Sequence, residues 1–343
     1  MGSTHGGGVE VVDLHAHYLA PSLVEHIRRG EFSPHVRVTG GPDRTRFLFP
    51  TTTSRLLLAR MTDTRERIRH LDQCEIDIQV LSTWIDMFGY DLPEDVAVSY
   101  HTRMNEGLAE AVDAYPRRFR FLASVPLPWG AAAADVLRDA VTRLGAVGAM
   151  IGTNVGGRNL DDARLEPLWA ASEKLGCPVE LHPVHVAGAE RLGDYQLENF
   201  LGNPFDTTVA AASLIFGGVL DRHPRLDVIL VHGGGYLPYA VGRMTHGRLA
   251  RGVARDLHRE PVDYLDRFHY DTIVYDRRLL TALRGLVGSE RIVLGSDYPF
   301  DMEPADIVAT ARAALGEDAL HVLAANARRL LALGRAEPGP PRR

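Results

Sequence analysis

The sequence predicts an α/β protein, a (β/α)8 TIM barrel, from two observations. Short apolar runs rich in β-branched residues alternate with segments of helical periodicity along the 343 residues, which is the pattern of parallel strands joined by helices. Several of these runs also end in a single polar residue with glycine or proline close behind it. Because TIM barrels keep their catalytic groups at the carboxyl ends of the strands, we expect these endings to form one site.

The apolar runs give eight predicted strands, and the segments between them give six long helices. The predicted strands are 9–17, 76–83, 120–127, 146–154, 178–183, 227–233, 268–275 and 291–299. The predicted helices are 94–115, 131–144, 165–175, 208–222, 277–287 and 304–315.

An insertion at about residues 18–62 follows the first strand and makes the predicted barrel a distorted one. It contains a probable helix near 22–29 and a hairpin pattern, HVRVTGGPDRTRFLF. Loops that follow barrel strands build the active-site rim, so we expect this insertion to act as a lid or to recognise substrate.

Composition favours one large enzyme domain over residues 9–334, with flexible ends at 1–8 and 335–343. The chain is 45% apolar with a net charge of −6 and has no clustered basic stripe, which argues against a nucleic-acid partner. No apolar run approaches the length of a membrane span, and MGSTHGGG lacks the parts of a signal peptide. We therefore expect no membrane partner and a cytoplasmic protein, with Cys74 and Cys177 as reduced thiols.

The polar strand endings carry the chemistry. His15 and His17 stand two apart in VVDLHAHYLAP, so on a strand both imidazoles project to the same side and can reach one metal ion. The runs CPVELHP, LDVILVHGGG and RIVLGSDYP supply His182, His232 and Asp297. An isolated His-x-His is usually a surface pair. The recurrence of such endings on four strands instead predicts a shared metal site.

These motifs resemble the amidohydrolase superfamily of the amidohydrolase-2 type, in its decarboxylase-type branch. Within that branch the chain resembles the α-amino-β-carboxymuconate-ε-semialdehyde decarboxylase family across about residues 10–332, with local matches at IDIQVLST, MFGY, RMNEGLAE, NLDDARLEPLW and GSDYPF. The resemblance implies a metal-dependent, non-oxidative decarboxylase of a small unsaturated or aromatic carboxylic acid. Hydrolysis or hydration by the same superfamily is the alternative.

The expected centre holds one divalent metal ion per subunit. Related binuclear hydrolases use a bridging carboxylated lysine after strand four, but that position reads GTNVGG here and the chain's one lysine is Lys174. His15, His17, His182 and Asp297 are therefore the expected ligands. Zn²⁺ is the preferred ion, and Mn²⁺ is acceptable to such a shell.

His232 is expected to move protons. The HGGG tetrapeptide could form an oxyanion hole in lipase-like hydrolases, but those need a GxSxG elbow, which this sequence lacks. The resemblance implies instead that His232 is not a ligand and that it serves as base and then acid beside a metal-bound water. Asp297 is then both a ligand and a catalytic group.

Two arginines and three aromatic residues are the predicted substrate contacts. By the same resemblance, Arg55 and Arg243 bind a substrate carboxylate, and Arg243 reaches the neighbouring subunit's pocket, which implies a homodimer. An ordinary surface ion pair is the alternative for each arginine. Trp84, Phe88 and Tyr195 are expected to form an aromatic wall, although aromatic residues at a barrel rim serve equally often in packing.

Overall fold

The computed structural model of the chain describes residues 10–41 and 44–333. The flexible ends expected at 1–8 and 335–343 lie outside these residues, as does the first residue of the first predicted strand. Among the described residues, no helix has the combination of length and apolar character that crossing a membrane requires.

Eight parallel strands form the barrel, and two short strands form a separate antiparallel hairpin. In chain order the strands are β1 (Val12–Tyr18), β2 (Arg37–Thr39), β3 (Arg46–Leu48), β4 (Ile78–Thr83), β5 (Phe119–Ser124), β6 (Gly148–Gly152), β7 (Val179–His182), β8 (Val228–Leu230), β9 (Phe268–Asp271) and β10 (Ile292–Val293). The barrel order is β1, then β4 through β10. The predicted (β/α)8 barrel is confirmed, although most strands are shorter than the sequence indicated.

Closure of the barrel between β10 and β1 depends on few bonds. The amide of Leu14 donates to the carbonyl of Leu294 at 2.8 Å, and that of His17 donates to Tyr298 at 2.7 Å. A single bridge pairs Ala16 with Tyr298 beyond the end of β10. The cylinder is therefore nearly closed by strand pairing and completed by the loop that follows β10.

Helices surround the strands. They are α1 (Pro21–Arg28), α2 (Thr64–Gln73), α3 (Glu94–Ala114), α4 (Gly130–Leu144), α5 (Glu166–Leu175), α6 (Asn203–Phe216), α7 (Val219–Arg222), α8 (Leu237–Arg251), α9 (Arg277–Val287), α10 (Ile307–Leu315) and α11 (Asn326–Leu330). Where the sequence predicted one helix at 208–222, the structure has α6 and α7. The break falls at Gly217 and Gly218, where Gly218 has a φ of 67°, a conformation that glycine adopts without strain.

An apolar layer fills the lower half of the barrel. Val12 and Leu14 of β1 pack there with inward residues of the neighbouring strands, and Leu330 of α11 covers them from below. The pairing of β1 with β4 shifts between Asp13 and Ala16. This irregularity lets Leu14 face the inner core while His15, its immediate neighbour, also faces the interior.

The insertion after β1 folds against the barrel. It contains α1 and the β2–β3 hairpin, at the places the sequence indicated. Phe32, Val36 and Phe47 are buried and join the main hydrophobic core. The insertion is therefore packed onto the rim of the barrel near the predicted site.

Candidate metal centre

The five residues singled out at the strand ends meet in one cluster. His15 and His17 lie in β1, His182 ends β7, and His232 and Asp297 follow β8 and β10. Ring centroids of His15, His17 and His182 lie between 4.9 and 5.3 Å apart. His15, His182, His232 and Asp297 each offer an atom within 4.8 Å of the others. Residues up to 282 positions apart thus share one small space, as parallel barrel strands require.

Three of the histidines are held in the same way. The Nδ1 atom of each lies within hydrogen-bond distance of an oxygen outside the cluster, so a proton on Nδ1 leaves Nε2 free to bind a cation. The bonds are His15 to Asp271 Oδ2 at 2.9 Å, His17 to the carbonyl of Thr83 at 3.0 Å and His182 to the carbonyl of Pro183 at 3.1 Å.

The residues fit a divalent cation. The Nε2 atoms of His15, His17 and His182 and Oδ1 of Asp297 are buried and have no hydrogen-bond partner among the residues that the structure describes. Asp297 Oδ1 lies 3.5 Å from His15 Nε2 and 3.1 Å from His17 Nε2, without hydrogen-bond geometry. Buried polar atoms are normally satisfied. One ion bound by three nitrogens and a carboxylate oxygen would satisfy all four, and this donor set suits Zn²⁺ or Mn²⁺.

His232 differs from these four donors. Its Nε2 is not among the unpartnered buried atoms and lies 3.7 Å from Asp297 Oδ2, the oxygen turned away from His15 and His17. Its Nδ1 is buried and has no hydrogen-bond partner in the described part of the chain. By distance alone, His232 belongs with His15, His182 and Asp297 to a group that could hold one ion, so its place beside the ligand set and not in it stays a prediction.

Burial and neighbouring charges shift the pKa values of the predicted ligands. Burial lowers the pKa of His17, and it lowers that of His182 well below its usual value, so both rings are neutral. Burial also opposes charge on His15, but Asp271 and the charge of Asp297 outweigh it and raise the pKa to about 10. Asp297 stays ionised because the histidines around it overcome its burial and hold its pKa well below the usual range. A cation bound at Nε2 of His15 replaces the proton there.

The HGGG segment owes its glycines to packing. A Cβ atom on Gly235 would lie 2.0 Å from the carbonyl oxygen of Pro204. The amide of Gly233 donates to Asp271 Oδ1 at 2.7 Å. His232 has a φ of 56°, which a non-glycine residue adopts at some cost. The glycines thus let a tight turn pass close to its neighbours and present His232 to the site.

A buried polar network, which sequence reasoning missed, supports the centre from the side of α2. Arg67 of α2 is fully buried and donates to the carbonyl of His17 at 2.5 Å and to Gln79 Oε1 at 2.7 Å. Gln79 donates in turn to Asp13 Oδ2 at 2.7 Å. Asp13 also accepts bonds from the amide and hydroxyl of Ser296, at 3.0 and 2.7 Å. The network fixes β1 relative to the residue before Asp297.

Asp271 was also missed, although a signal for it was present. It is the last residue of β9 and is fully buried. It is a polar residue in the middle of the seventh predicted strand, where it interrupts the segment FHYDTIV. Arg67 and Gln79 gave no comparable signal, because an arginine in a helix usually faces solvent.

Two cavities border the centre. One, of about 380 Å³, is lined by His232 and Asp297 together with mostly apolar residues of α8, α9 and the loop after β9. The other, of about 740 Å³, is more polar and is lined by Arg55, Asp86 and residues of the insertion. Asn199 and Asn203 line both cavities. The two cavities are therefore neighbours that meet at these two asparagines.

Three of the predicted substrate contacts lie at the second cavity or next to it. The Arg55 guanidinium is 58% exposed and pairs with Asp86 at 2.7 Å. It lies 5.9 Å from the ring of Trp84 and 5.5 Å from that of Phe300, which is 5.2 Å from the His17 ring. Phe88 lines the cavity, and Trp84 is buried beside Arg55.

The structure does not bring Arg243 or Tyr195 to the site of their own subunit. Arg243 is exposed on α8, lines neither cavity and forms no ion pair with any residue the structure describes. Tyr195 is 85% exposed and also lines neither cavity. A contribution of Arg243 to a neighbouring subunit remains a prediction. Tyr195 belongs to the surface of this chain.

The barrel and its buried histidine cluster define a TIM-barrel enzyme with a candidate metal centre. The chain belongs to the amidohydrolase family, whose pattern, described as Amidohydrolase, matches residues 12–333.

Several proteins similar to the chain are decarboxylases. A 2-amino-3-carboxymuconate-6-semialdehyde decarboxylase of Dictyostelium discoideum is 39% identical over 240 residues, 69% of this chain and 66% of that protein. A gamma-resorcylate decarboxylase of Rhodococcus jostii is 32% identical over 265 residues, 71% and 80% of the two chains. A crystal structure of a dihydroxybenzoic acid decarboxylase from Polaromonas sp. JS666, with bound manganese and the inhibitor 2-nitroresorcinol, matches with a TM-score of 0.78 and 25% sequence identity. The match covers 96% of this chain and 98% of that one. The comparisons confirm the predicted superfamily and its decarboxylase-type branch, and they do not favour the hydrolase or hydratase alternative.

Proposed function

We propose that the protein is a metal-dependent, non-oxidative decarboxylase of a small aromatic or unsaturated carboxylic acid. The observation that carries this proposal is the set of four buried donor atoms on His15, His17, His182 and Asp297, none with a hydrogen-bond partner among the described residues. Asp297 also lines a cavity of about 380 Å³, which has room for a small acid. The similarity to decarboxylases supports the choice of reaction.

One divalent ion per subunit would be held by these four donors. When bound, the ion supplies Lewis acidity that polarises an oxygen of substrate or water. We prefer Zn²⁺ because three imidazoles and one carboxylate suit it. Mn²⁺ is the alternative, and it is the ion in the similar Polaromonas enzyme.

His232 handles the proton. Its side chain borders the first cavity, and the carboxylate of Asp297 lies 3.7 Å from its Nε2 atom. Protonated His232 delivers its proton to the substrate carbon that bears the carboxylate. The electron pair of the C–CO₂ bond then remains with the substrate as CO₂ leaves. The reaction thus converts a carboxylate and a proton into the decarboxylated product and CO₂.

The carboxylate is recognised by arginine, whose planar fork suits it better than a point charge does. Arg55 lies at the polar cavity, and its exposed guanidinium has donors available beyond those bonded to Asp86. Trp84 and Phe88 form the apolar side of this region. Arg243 of a second subunit would complete the pocket in a homodimer, and its exposed, unpaired side chain is compatible with that role.

A substrate screen tests the proposal. Metal-loaded protein is incubated with dihydroxybenzoic acids, 6-methylsalicylic acid and a carboxymuconate semialdehyde, and the release of CO₂ and the products are measured. We expect stoichiometric CO₂ from at least one acid and none after chelation of the metal. Hydrolysed or hydrated products without CO₂ would show that a different reaction of the superfamily takes place here.

A further inference from the structure

A second group of metal-ligating side chains lies outside the catalytic centre. His70 stands in the last turn of α2, and Cys74 caps that helix four residues later. Residues four apart on a helix lie on the same face. Glu303 joins them from the loop that follows Asp297. One donor atom from each of the three residues lies within 4.8 Å of the other two.

We propose that His70, Cys74 and Glu303 bind a second divalent ion of the zinc class, with solvent in the fourth position. Cys74 Sγ lies 3.5 Å from His70 Nε2. A tetrahedral zinc ion with bonds of about 2.3 Å to sulfur and about 2.0 Å to nitrogen sets those two ligands roughly 3.5 Å apart. His70 Nε2 also shares a short hydrogen bond with Glu303 Oε1, and the two atoms would have to move apart for one ion to replace this bond by binding both.

The surroundings suit a site that exchanges its ion with solvent. The side chains of His70 and Glu303 are 18% and 12% exposed, and Cys74 is half-buried. Arg60 approaches the second carboxylate oxygen of Glu303 only to 4.0 Å. The ligand set includes a thiol, whereas the catalytic centre has imidazoles and a carboxylate. Thiolate ligands select soft metal ions. A soft ion should therefore prefer the site that contains Cys74 over the catalytic centre.

The position of the site connects it to the candidate catalytic centre. The amide of Glu303 donates to the carbonyl of Phe300 at 3.2 Å, and the Phe300 ring lies 5.2 Å from that of His17. The His70 ring lies 4.6 Å from that of Tyr298. An ion bound to α2 and Glu303 would therefore restrain the loop that carries Asp297 and Phe300.

Thiolate-to-metal charge-transfer absorption in the ultraviolet tests the site independently of activity. Protein whose catalytic centre is filled with Mn²⁺ is titrated with Cd²⁺, and the new band is measured. We expect the band in the parent and in the matched control Cys177→Ala, but not in Cys74→Ala. Cys177 serves as the control because it is buried, and burial raises the pKa of its thiol to about 11.

Two further variants separate a three-ligand site from a thiol that binds metal alone. His70→Gln and Glu303→Gln should each weaken Cd²⁺ binding at least about tenfold, the lower end of the loss seen when the support of a metal site is removed. Circular dichroism confirms that the variants fold. Zn²⁺ should displace Cd²⁺ from the parent. No band in the parent, or equal Cd²⁺ affinity in parent, His70→Gln and Glu303→Gln, would overturn the proposal.

Discussion

The carboxylate of Asp271 joins His15 to the turn that carries His232. One of its oxygens accepts a hydrogen bond from His15 Nδ1 at 2.9 Å, and the other accepts from the amide of Gly233 at 2.7 Å. A single buried side chain therefore orients a predicted metal ligand and the residue next to the predicted proton donor.

Asp271→Asn should weaken metal binding about 10-fold to 100-fold, because an amide is a poorer partner for the His15 ring than a carboxylate. The measurement is a competition titration with a chelator of known affinity. Asp266→Asn, an exposed residue on the same segment, is the control and should bind as the parent does. Unchanged affinity in Asp271→Asn would mean that the His15 ring is held by packing alone.

His232→Ala should keep its metal and lose activity about 10²-fold to 10⁴-fold, the usual contribution of a general acid or base. His182→Ala should lose the metal as well, because its Nε2 is one of the four unpartnered buried donors. Elemental analysis of both purified variants checks the difference. An empty site in a folded His232→Ala protein would make His232 a ligand.

Removal of the metal should lower the stability of the protein. Without a cation, the four donor atoms are buried and unsatisfied. A ligand present at 100 times its dissociation constant stabilises the native state by about 2.7 kcal/mol. Thermal unfolding of chelator-treated protein, before and after addition of one equivalent of Zn²⁺, measures the effect. Equal melting temperatures would contradict a metal site at these four donors, and two ions bound by the four-donor centre would contradict the mononuclear assignment.

Arg67→Met should destabilise the metal-loaded protein by roughly 2–4 kcal/mol, because it leaves Gln79 and the carbonyl of His17 without their buried partner. Urea unfolding gives the free energy. Arg65→Met, an exposed neighbour on the same helix, should change it by less than about 0.5 kcal/mol. Similar effects of the two substitutions would show that the network adds nothing to stability.

A mixture of inactive His232→Ala and inactive Arg243→Ala subunits should regain activity if Arg243 completes the partner's pocket. One pocket of a mixed dimer would then combine an intact proton donor with an intact arginine. Mass spectrometry verifies that subunits exchange. Exchange without any turnover would remove the shared site and leave Arg243 as a surface charge.

The sequence allowed the barrel and the five clustered residues to be predicted because both depend on local patterns. A polar residue that ends an apolar run marks a strand end, and the barrel brings strand ends together. The pairing of His15 with Asp271 could not be predicted in this way, because the two residues lie 256 positions apart. The burial of Arg67 likewise follows from how α2 packs on β1 and β4, which helical periodicity does not specify.

Tyr195 was expected near the substrate from the sequence, but its side chain does not lie there in its own subunit. Its position in a long loop after the strand of His182 suggested a place near the substrate, yet its side chain faces solvent. The conformation of such a loop is set by tertiary contacts, and the loop continues into a π-helical turn at Glu198–Gly202. Asn199 of that turn, which no motif indicated, lines both cavities.

The sparse pairing between β10 and β1 has a consequence for biosynthesis. His15 and His17 belong to the first strand, whereas Asp297 follows the last one, and the loop after β10 completes the cylinder there. During synthesis on the ribosome, the fourth predicted ligand, Asp297, thus follows His17 only after about 280 further residues have been added. Products that stop before β10 would therefore carry the histidines but acquire no complete centre, so metal uptake reports that β10 and the loop after it have been made.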